Sequence, residues 1–262
     1  MMIIKLMTNR IFKKLLLSGF ICMLTVINIY ATDINRLQDS AANYYNNAHY
    51  SEALVFYDSI YTLNYSSADL FLNMGNCYYQ IGDIPNSIYY YELSLNLDPA
   101  NENTNHNLNI ANTKIETKAE ELPVAFYKRW FISVISIMSA DAWAYLSVCL
   151  FSLSLGMMAI YFFSLRLSLR KTGFIVAIIS LVFASFSVVF SINLAKKISD
   201  NNNAIVFDKG LVKSSPNKES NNLFEVSKGL KVEITDSLNL WYNIKLSDGK
   251  QGWIEAENLK RL

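Results

Sequence analysis

Two long apolar runs without a charged residue constrain the fold of this chain more than any other feature. The first covers residues 143–165 and the second residues 174–195, so they hold 23 and 22 residues. Each is longer than the roughly 20 residues that an α-helix needs to cross a bilayer. Only eight residues separate them. The two runs therefore predict a pair of transmembrane helices joined as a hairpin, and they disfavour buried helices of a soluble domain.

The segment between the runs, 166–173, carries three positive charges, at Arg166, Arg170 and Lys171. Short cytoplasmic loops are enriched in Lys and Arg. We therefore predict that these residues hold a cytoplasmic loop in place. Pairs of basic residues at the outer ends of the hairpin, 128–129 and 196–197, reduce the difference in charge across the membrane.

Residues 1–31 have the composition of a secretory signal peptide. Four basic residues precede an apolar stretch of about 13 residues, 15–27, and the polar chain begins after Ala31. Cleavage after Ala31 would export everything that follows, whereas an uncleaved helix would anchor the chain. The first spanning helix would then return the chain to the cytoplasm, and the second would bring it back to the outer side. The prediction is an inner (cytoplasmic) membrane protein with both soluble domains on the periplasmic side.

Residues 32–122 contain an internal repeat with a period of 34 residues. The two copies are 34–67 and 68–101, and their alignment places Tyr57 over Tyr91. A 34-residue period of aromatic and small residues is typical of tetratricopeptide repeats, each of which is a pair of helices. We therefore predict an all-α solenoid of two repeats.

The second copy fits the repeat pattern best. Gly75 lets the two helices of the copy approach each other, and Pro99 stops the second helix. After Pro99 the pattern degenerates, because asparagines replace the core positions of a third copy. We interpret residues 102–117 as a polar capping helix, which a solenoid needs at its end.

Residues 123–142 join the solenoid to the first spanning helix. They begin with basic and aromatic residues, and their apolar stretch of about ten residues is too short to cross a bilayer. We predict an amphipathic helix that lies in the membrane interface. Asp141 would cap the first spanning helix. The alternative role for Asp141 is that of an acid inside the membrane.

The last residues, 204–262, follow a polar linker at 196–203 and have a different period. Apolar and polar residues alternate here, which is typical of strands. The sequence SDGK at 247–250 predicts a hairpin turn. A Trp-Tyr strand and the Gly-Trp-Ile segment at 252–254 resemble bacterial SH3-like domains, which implies a small all-β barrel.

The fold class that follows is a multi-domain membrane protein. It combines an all-α tetratricopeptide repeat solenoid, a two-helix transmembrane hairpin and a small all-β SH3-like barrel. Its front part, 33–129, has twelve acidic and five basic side chains, a net charge of −7. This charge disfavours nucleic acid as a partner, because the phosphate backbone is also negative.

Candidate catalytic residues are few. The chain has two histidines, His49 and His106, and no Ser/His/Asp set, phosphate-binding loop, CxxC pair or carboxylate cluster. Cys77 could pair with His106 or sense redox conditions, but a small cysteine on a helix face is more often a packing residue. We predict no enzyme activity, no cofactor and no metal. The function that remains is recognition of a binding partner.

Two surfaces are candidates for recognition. The first helix of each repeat lines a groove whose tyrosines and amides suit an extended peptide or a partner helix. The predicted groove residues are Gln38, Tyr45, Asn46, Leu72, Asn76, Tyr79 and Gln80. For the two groove tyrosines the alternative is packing between repeats. The predicted ligand face of the barrel is Trp241, Tyr242 and Trp253. Their rings suit sugar or peptide, and the alternative is that the tryptophans fill the core.

The order of the segments resembles the BatE-like family of the Bacteroides aerotolerance (Bat) operon. The points of likeness cover essentially the full chain: the signal peptide, the repeats, the RWF…SADAW segment, the hairpin and the SH3-like domain. The resemblance implies von Willebrand factor A domain Bat proteins and a MoxR-type ATPase as partners, and a role in aerotolerance or envelope stress. It offers no catalytic residues. The function expected is a membrane-anchored adaptor for protein–protein interaction, and the alternative is a peptidoglycan-binding envelope protein.

Overall fold

The computed structural model describes residues 33–116, 125–199 and 202–262. The chain divides into two compact units, with the boundary after Ser66. The predicted signal peptide and its cleavage position after Ala31 lie outside the described residues.

The first unit contains two helices. Helix α1 covers residues 33–46, and helix α2 covers Tyr50–Thr62. The turn between them includes Ala48, whose φ is positive at 61°. Tyr44, near the end of α1, stacks on Phe56 with the ring centroids 5.2 Å apart. The two helices therefore fold back on each other as a hairpin.

The second unit begins with three helices. They are α3, Ala68–Gln80; α4, Ile84–Leu97; and α5, Glu102–Asn112. The side chains of Ser67, Asp83 and Asn101 cap them, each by accepting a hydrogen bond from a backbone N–H of the first turn. Helix α4 begins 34 residues after α2, which is the period found in the sequence. Helix α5 begins where the capping helix was predicted and ends at Asn112.

Helices α3 and α4 lie antiparallel. The hydroxyl of Ser94, near the end of α4, donates a hydrogen bond of 2.8 Å to the carbonyl of Ala68, at the start of α3. Between these ends, a Cβ atom built on Gly75 would lie 2.5 Å from the ring of Tyr91. Only glycine fits there, so the close approach that the sequence predicts at this position is present.

Three more helices follow, and two of them contain the long apolar runs. They are α6, Phe126–Ile135; α7, Ala140–Phe163; and α8, Leu167–Ser199. Helices α7 and α8 are long and apolar enough to cross a membrane, the second of them over Leu167–Lys196. Large apolar side chains project outward from both, and Phe162 and Phe183 are 69% and 59% exposed. A surface of this kind is typical of helices that face lipid.

The start of α7 differs from the prediction. The amphipathic helix expected at 123–142 ends at Ile135, because the hydroxyl of Ser139 accepts a hydrogen bond of 3.2 Å from the N–H of Ala142 and starts a new helix. Ser139 is therefore the N-cap of α7, and Asp141 is not. Asp141 lies exposed in the first turn, where a negative charge favours the helix N-terminus.

The connection between α7 and α8 is shorter than the loop predicted at 166–173. Helix α8 already begins at Leu167, so Arg170 and Lys171 lie in its first turns and Arg166 lies in the connection. Arg and Lys are good helix formers, and a helix can therefore continue beyond the apolar run into the charged residues.

The far end of α8 also extends beyond the predicted boundary. The helix reaches Ser199, and the first strand begins at Asn203. Helix α8 therefore covers the first four residues, 196–199, of the linker predicted at 196–203. The same physical reason applies, because the lysines at this end do not interrupt a helix.

Small residues line the contact between α7 and α8. The hydroxyl of Ser154 on α7 donates a hydrogen bond of 2.9 Å to the carbonyl of Ala177 on α8. The hydroxyl of Ser191 bonds back to the start of α7 over 2.9 Å. A Cβ atom on Gly173 would lie 2.9 Å from a backbone oxygen of α7. The two backbones therefore approach closely, which is also typical of small-residue contacts between membrane helices.

The C-terminal domain is one antiparallel sheet of seven strands. The strands are β1, Asn203–Val206; β2, Gly210–Lys213; β3, Asn222–Val226; β4, Lys231–Leu238; β5, Trp241–Lys245; β6, Gln251–Glu255; and β7, Leu259–Arg261. Their order in the sheet is β3-β2-β6-β5-β4-β1-β7. The buried core draws on β1 to β6. A single sheet can share one core across six strands only if it curls, so the domain is a small barrel.

The predicted hairpin turn of the barrel is confirmed. The segment SDGK connects β5 to β6, and the N–H of Leu246 donates to the carbonyl of Lys250 over 2.9 Å. Gly249 in the turn has a positive φ of 90°, a conformation that favours glycine.

Candidate functional site between the helices and the barrel

Strand β1 packs against the helices on one face and against the barrel core on the other. Ala204 and Val206 are buried in the core of the barrel. Ile205, between them, is buried instead in an apolar cluster with Ile88 of α4 and Leu108 of α5. Successive side chains of a strand point to opposite faces, so one strand serves two cores. We call this contact of α4 and α5 with the barrel the seam.

Aromatic and charged contacts strengthen the seam. The rings of Tyr89 and Phe207 meet edge-on with centroids 6.1 Å apart, and the ammonium of Lys260 lies 4.0 Å from the centre of the Tyr89 ring. Lys231 of β4 donates a hydrogen bond of 2.6 Å to the carboxylate of Glu92 on α4. The Glu92 side chain is 13% exposed and the Lys231 side chain is 42% exposed, so solvent screens this ion pair only in part.

A second ion pair crosses the seam at the surface. The ammonium of Lys209 lies 3.1 Å from the carboxylate of Glu116. The hydrogen bond and the charge of Glu116 raise the pKa of Lys209. Both side chains are at least half exposed, so solvent and salt screen the pair and it contributes little to stability.

A cleft of about 730 Å³ opens beside the seam. One wall is α5 together with Glu92, and the other wall is formed by β1, β4 and the end of β5. The polar side chains that line the cleft include Glu92, Asn109, Asn112, Lys231, Glu233 and Lys245. The apolar floor includes Leu108, Leu230 and Leu246. Ligand sites in proteins typically have volumes of about 300–1,000 Å³, so the cleft has the size of a binding site.

Three of the four predicted groove residues of α3 take part in the internal packing of the second unit. Leu72 and Tyr79 pack against the apolar cluster of the seam. The side-chain oxygen of Asn76 accepts hydrogen bonds of 2.8 Å from the Tyr91 hydroxyl and from the Asn107 amide. Packing was the alternative given for Tyr79, and its ring does pack within the unit. A role of Leu72 and Asn76 in ligand binding stays a prediction.

The other predicted groove residues lie nearer to solvent. Gln38 and Tyr45 are half-buried on α1, and Asn46 is exposed at the end of that helix. The Tyr45 ring contacts the Tyr50 ring with centroids 5.3 Å apart. Gln80 is exposed at the end of α3. A role of these four residues in ligand binding stays a prediction.

The predicted ligand face of the barrel divides between the two sides of the sheet. Tyr242 pairs with Ile254 in the register of β5 and β6, and it packs against the barrel core. Trp253 alternates with Ile254 along β6, so it lies on the outer side, where it is half-buried. Trp241 lies on the same side as Trp253 and is 9% exposed. The two tryptophans therefore share a side, and Tyr242 is part of the interior.

The three basic residues at the closed end of the α7–α8 hairpin lie together. Arg166, Arg170 and Lys171 are all exposed at the closed end of the helical hairpin. The guanidinium of Arg170 lies 5.4 Å from the centre of the Tyr161 ring. Arg166, Arg170 and Lys171 therefore form a compact positive group within the segment 166–173.

Cys77 is a packing residue of α3. Its side chain is fully buried, and burial raises the pKa of the thiol to about 12. The thiolate is the reactive form of cysteine, so a thiol that stays protonated at neutral pH is poorly suited to redox sensing. His106, its suggested partner, is exposed on α5.

Sequence reasoning missed the residues that build the seam and the cleft. Glu92 and Lys231 are 139 residues apart, and nothing in their local patterns connects them. One signal was available. The consecutive apolar residues at 204–206 break the alternation of a half-buried strand, and such a run indicates a strand that is covered on both faces.

The barrel is similar to bacterial SH3 domains. Residues 210–260 match the family described as bacterial SH3 domain, which confirms the SH3-like domain predicted from the strand pattern. The match begins after β1, the strand that lies between β4 and β7 in the sheet. No curated protein matches the chain.

Proposed function

We propose that the chain is a membrane-anchored adaptor of an envelope complex, and that it binds protein partners and catalyses no reaction. The observation that carries this proposal is the seam, since it joins a helical hairpin and a bacterial SH3 domain into one body with a cleft. The 34-residue period and the Gly75–Tyr91 contact support tetratricopeptide repeats in the helical part. The helical part and the barrel are both of types that bind partners, and the sequence contains no recognisable catalytic set. Both observations favour binding over catalysis.

The proposed location is the inner membrane, with the helical domain and the barrel both on the periplasmic side. The seam supports a common side, because α4 and the barrel are in contact and α7 and α8 lie between them in the chain. Two spans return the chain to the side from which it entered. The basic group at Arg166, Arg170 and Lys171 favours the cytoplasm for the closed end of the hairpin.

Cysteine labelling tests this topology. In a chain whose native cysteines are replaced by serine, we expect the exposed position of Ser237→Cys on β4 to react with a membrane-impermeant reagent once the outer membrane is permeable. Ser168→Cys, near the closed end of the hairpin, should react only after the inner membrane is opened. Labelling of both positions under the first condition would contradict the proposed topology.

The adaptor function is tested by crosslinking in living cells followed by purification of the full chain and mass spectrometry. We expect Bat-type proteins with von Willebrand factor A domains among the crosslinked partners. A variant without residues 33–66, which form the first compact unit, should lose partners that use the first helix pair. Absence of any specific partner with the intact chain would refute the adaptor function.

Binding of peptidoglycan is the second candidate function. It is favoured by the family match, because bacterial SH3 domains commonly bind peptidoglycan. The side of the sheet that carries Trp241 and Trp253 is the proposed contact surface. The test is sedimentation of the detergent-solubilised full chain with purified sacculi. We expect Trp253→Ala to reduce the bound fraction and Leu240→Ala, at an exposed turn position, to leave it unchanged. A full chain that stays in the supernatant removes this candidate.

A further inference from the structure

The charged side chains of the cleft balance each other. Glu92 and Glu233 are matched by Lys231 and Lys245, so the lining has both signs and no net charge. The Glu92–Lys231 pair is short and partly shielded, and it belongs to the seam. The Lys245–Glu233 pair has its atoms 3.9 Å apart, and its side chains are 40% and 56% exposed. These two charges can therefore exchange their long mutual contact for shorter hydrogen bonds to a ligand.

The helical wall of the cleft presents a row of amides. Asn109 and Asn112 are three residues apart, so they lie on one face of α5. Within the described part of the chain, the side-chain amides of Asn109 and Asn112 have no hydrogen-bond partner. An asparagine side chain offers both a donor and an acceptor, which is the pair of groups that a peptide unit requires.

The floor of the cleft is apolar. Leu108, Leu230 and Leu246 are each 6–8% exposed, and they lie below the charged rim. A ligand that satisfies the rim and the floor together has an aliphatic side chain between polar or charged groups. A polyanion does not meet this condition, because Glu92 and Glu233 oppose it.

We propose that the cleft binds a short extended segment of a protein partner, a few residues long, with side chains of both charge signs around an apolar residue. The volume of about 730 Å³ suits a short peptide and is too small for a folded domain. This inference rests on the proposed adaptor function and assigns its binding site to α5 and the barrel. Neither part supplies the site alone, since the two walls come from different domains.

The test uses the full chain in nanodiscs and three sets of fluorescent seven-residue peptides, which carry mixed, all-acidic or all-basic side chains around a central leucine. Fluorescence anisotropy should show binding of the mixed set and at least about tenfold weaker binding of the other two. Lys245→Glu should weaken binding of the mixed set about tenfold, the effect of one lost charge-assisted hydrogen bond. Lys250→Glu is the matched control, because it makes the same change five residues away in the hairpin turn.

A second pair of variants covers the case in which a charge reversal disturbs the barrel. Asn112→Leu changes the opposite wall and should weaken binding, whereas Asn103→Leu on an exposed part of α5 should not. Equal binding by the wild-type chain and both cleft variants, or no binding of any set, would overturn the inference. Binding of soluble peptidoglycan stem peptides in place of the mixed set would also overturn it, since the ligand would then come from the cell wall.

The crosslinking experiment separates this inference from the proposed function. If Lys245→Glu and Asn112→Leu still recover the partners of the wild-type chain, the adaptor function stands and the assignment to the cleft fails. If the wild-type chain recovers no partner, the adaptor function itself fails.

Discussion

At the scale of single residues, Gly75 shows how closely the packing of α3 against α4 restricts the residue type. A Cβ atom at this position would lie 2.5 and 2.6 Å from two carbon atoms of the Tyr91 ring. The ring has no room to move away, because Tyr91 is 2% exposed and its hydroxyl bonds to Asn76. The sequence predicts this contact, since a repeat with a 34-residue period requires a small residue where its helices cross.

We expect Gly75→Ala to lower the free energy of unfolding of the helical domain by about 1–2 kcal/mol. Overpacking typically costs about 1–3 kcal/mol, and the higher helix propensity of alanine returns up to about 1 kcal/mol. The measurement is denaturant-dependent labelling of Cys77, followed by mass spectrometry. The matched control is Gly156→Ala on α7, where a Cβ atom would meet nothing within 4 Å. A stability of the Gly75→Ala variant equal to that of the wild-type chain would contradict the packing described here.

The Cys77 thiol predicts a dependence of stability on pH. Its pKa is raised from 9.0 to about 12 in the folded chain, so the folded state holds the proton more tightly than the unfolded state. The stabilisation is therefore complete below pH 9 and is lost as the pH rises from about 9 to about 12. Other groups titrate in this range, so the quantity to measure is the difference in unfolding free energy between the wild-type chain and Cys77→Ala. A difference that does not change above pH 9 would show that the thiol ionises normally in the fold.

At the scale of helices and strands, the sequence predicts which elements exist better than where they end. The apolar runs and the alternating residues identify α7, α8 and the barrel strands. Helix α8 begins at Leu167, inside the loop predicted at 166–173, because helix formation tolerates Arg and Lys whereas an apolar run does not include them. Similarly, Ser139 and Asp141 are both good N-cap types, and the choice of Ser139 depends on a backbone geometry that the sequence does not contain.

The contact between α7 and α8 leads to a prediction about hydroxyl groups. We expect Ser154→Ala to destabilise the hairpin by about 0.6–1 kcal/mol, because it removes the hydrogen bond to the Ala177 carbonyl on the other helix. Ser152→Ala should have a smaller effect, since the Ser152 hydroxyl bonds to Val148 in its own helix and is exposed. Titration of the micelle-bound chain with SDS, followed by circular dichroism, measures both. Equal effects of the two variants would mean that the interhelical bond adds nothing.

At the scale of the whole molecule, the seam could not be predicted from the sequence. Its contacts join residues more than a hundred positions apart, for example Ile88 with Ile205. Local patterns identify Ile205 as a strand residue and Leu72 as a groove residue, but they do not show what will cover either side chain. The residue types predicted for the groove are suitable for recognition, yet Leu72, Asn76 and Tyr79 are used within the fold because the helix stack is short.

The ion pair between Glu92 and Lys231 tests the seam. We expect Glu92→Lys or Lys231→Glu alone to weaken the seam by about 1–3 kcal/mol, because each leaves like charges together in a partly shielded site. Hydrogen exchange should then rise in α5 and β1 of the full chain. The exchanged pair, Glu92→Lys with Lys231→Glu, should restore protection.

The control for the seam is an exchange of Asp248 and Lys250, a pair that lies within the β5–β6 turn and does not cross the seam. Neither the single nor the double exchange in this turn should change protection of α5. If the double variant at Glu92 and Lys231 stays as unprotected as the single variants, the two side chains do not act as a pair.

The short connection between α8 and β1 limits how far the barrel can lie from the end of α8. Only three residues separate Ser199 from Asn203, and a fully extended chain of this length spans about 14 Å. If α8 spans the membrane as proposed, this short connection keeps the cleft close to the bilayer surface. A partner anchored in the same membrane then searches in two dimensions and meets the cleft at a high effective concentration, so that even weak contacts can hold the complex together.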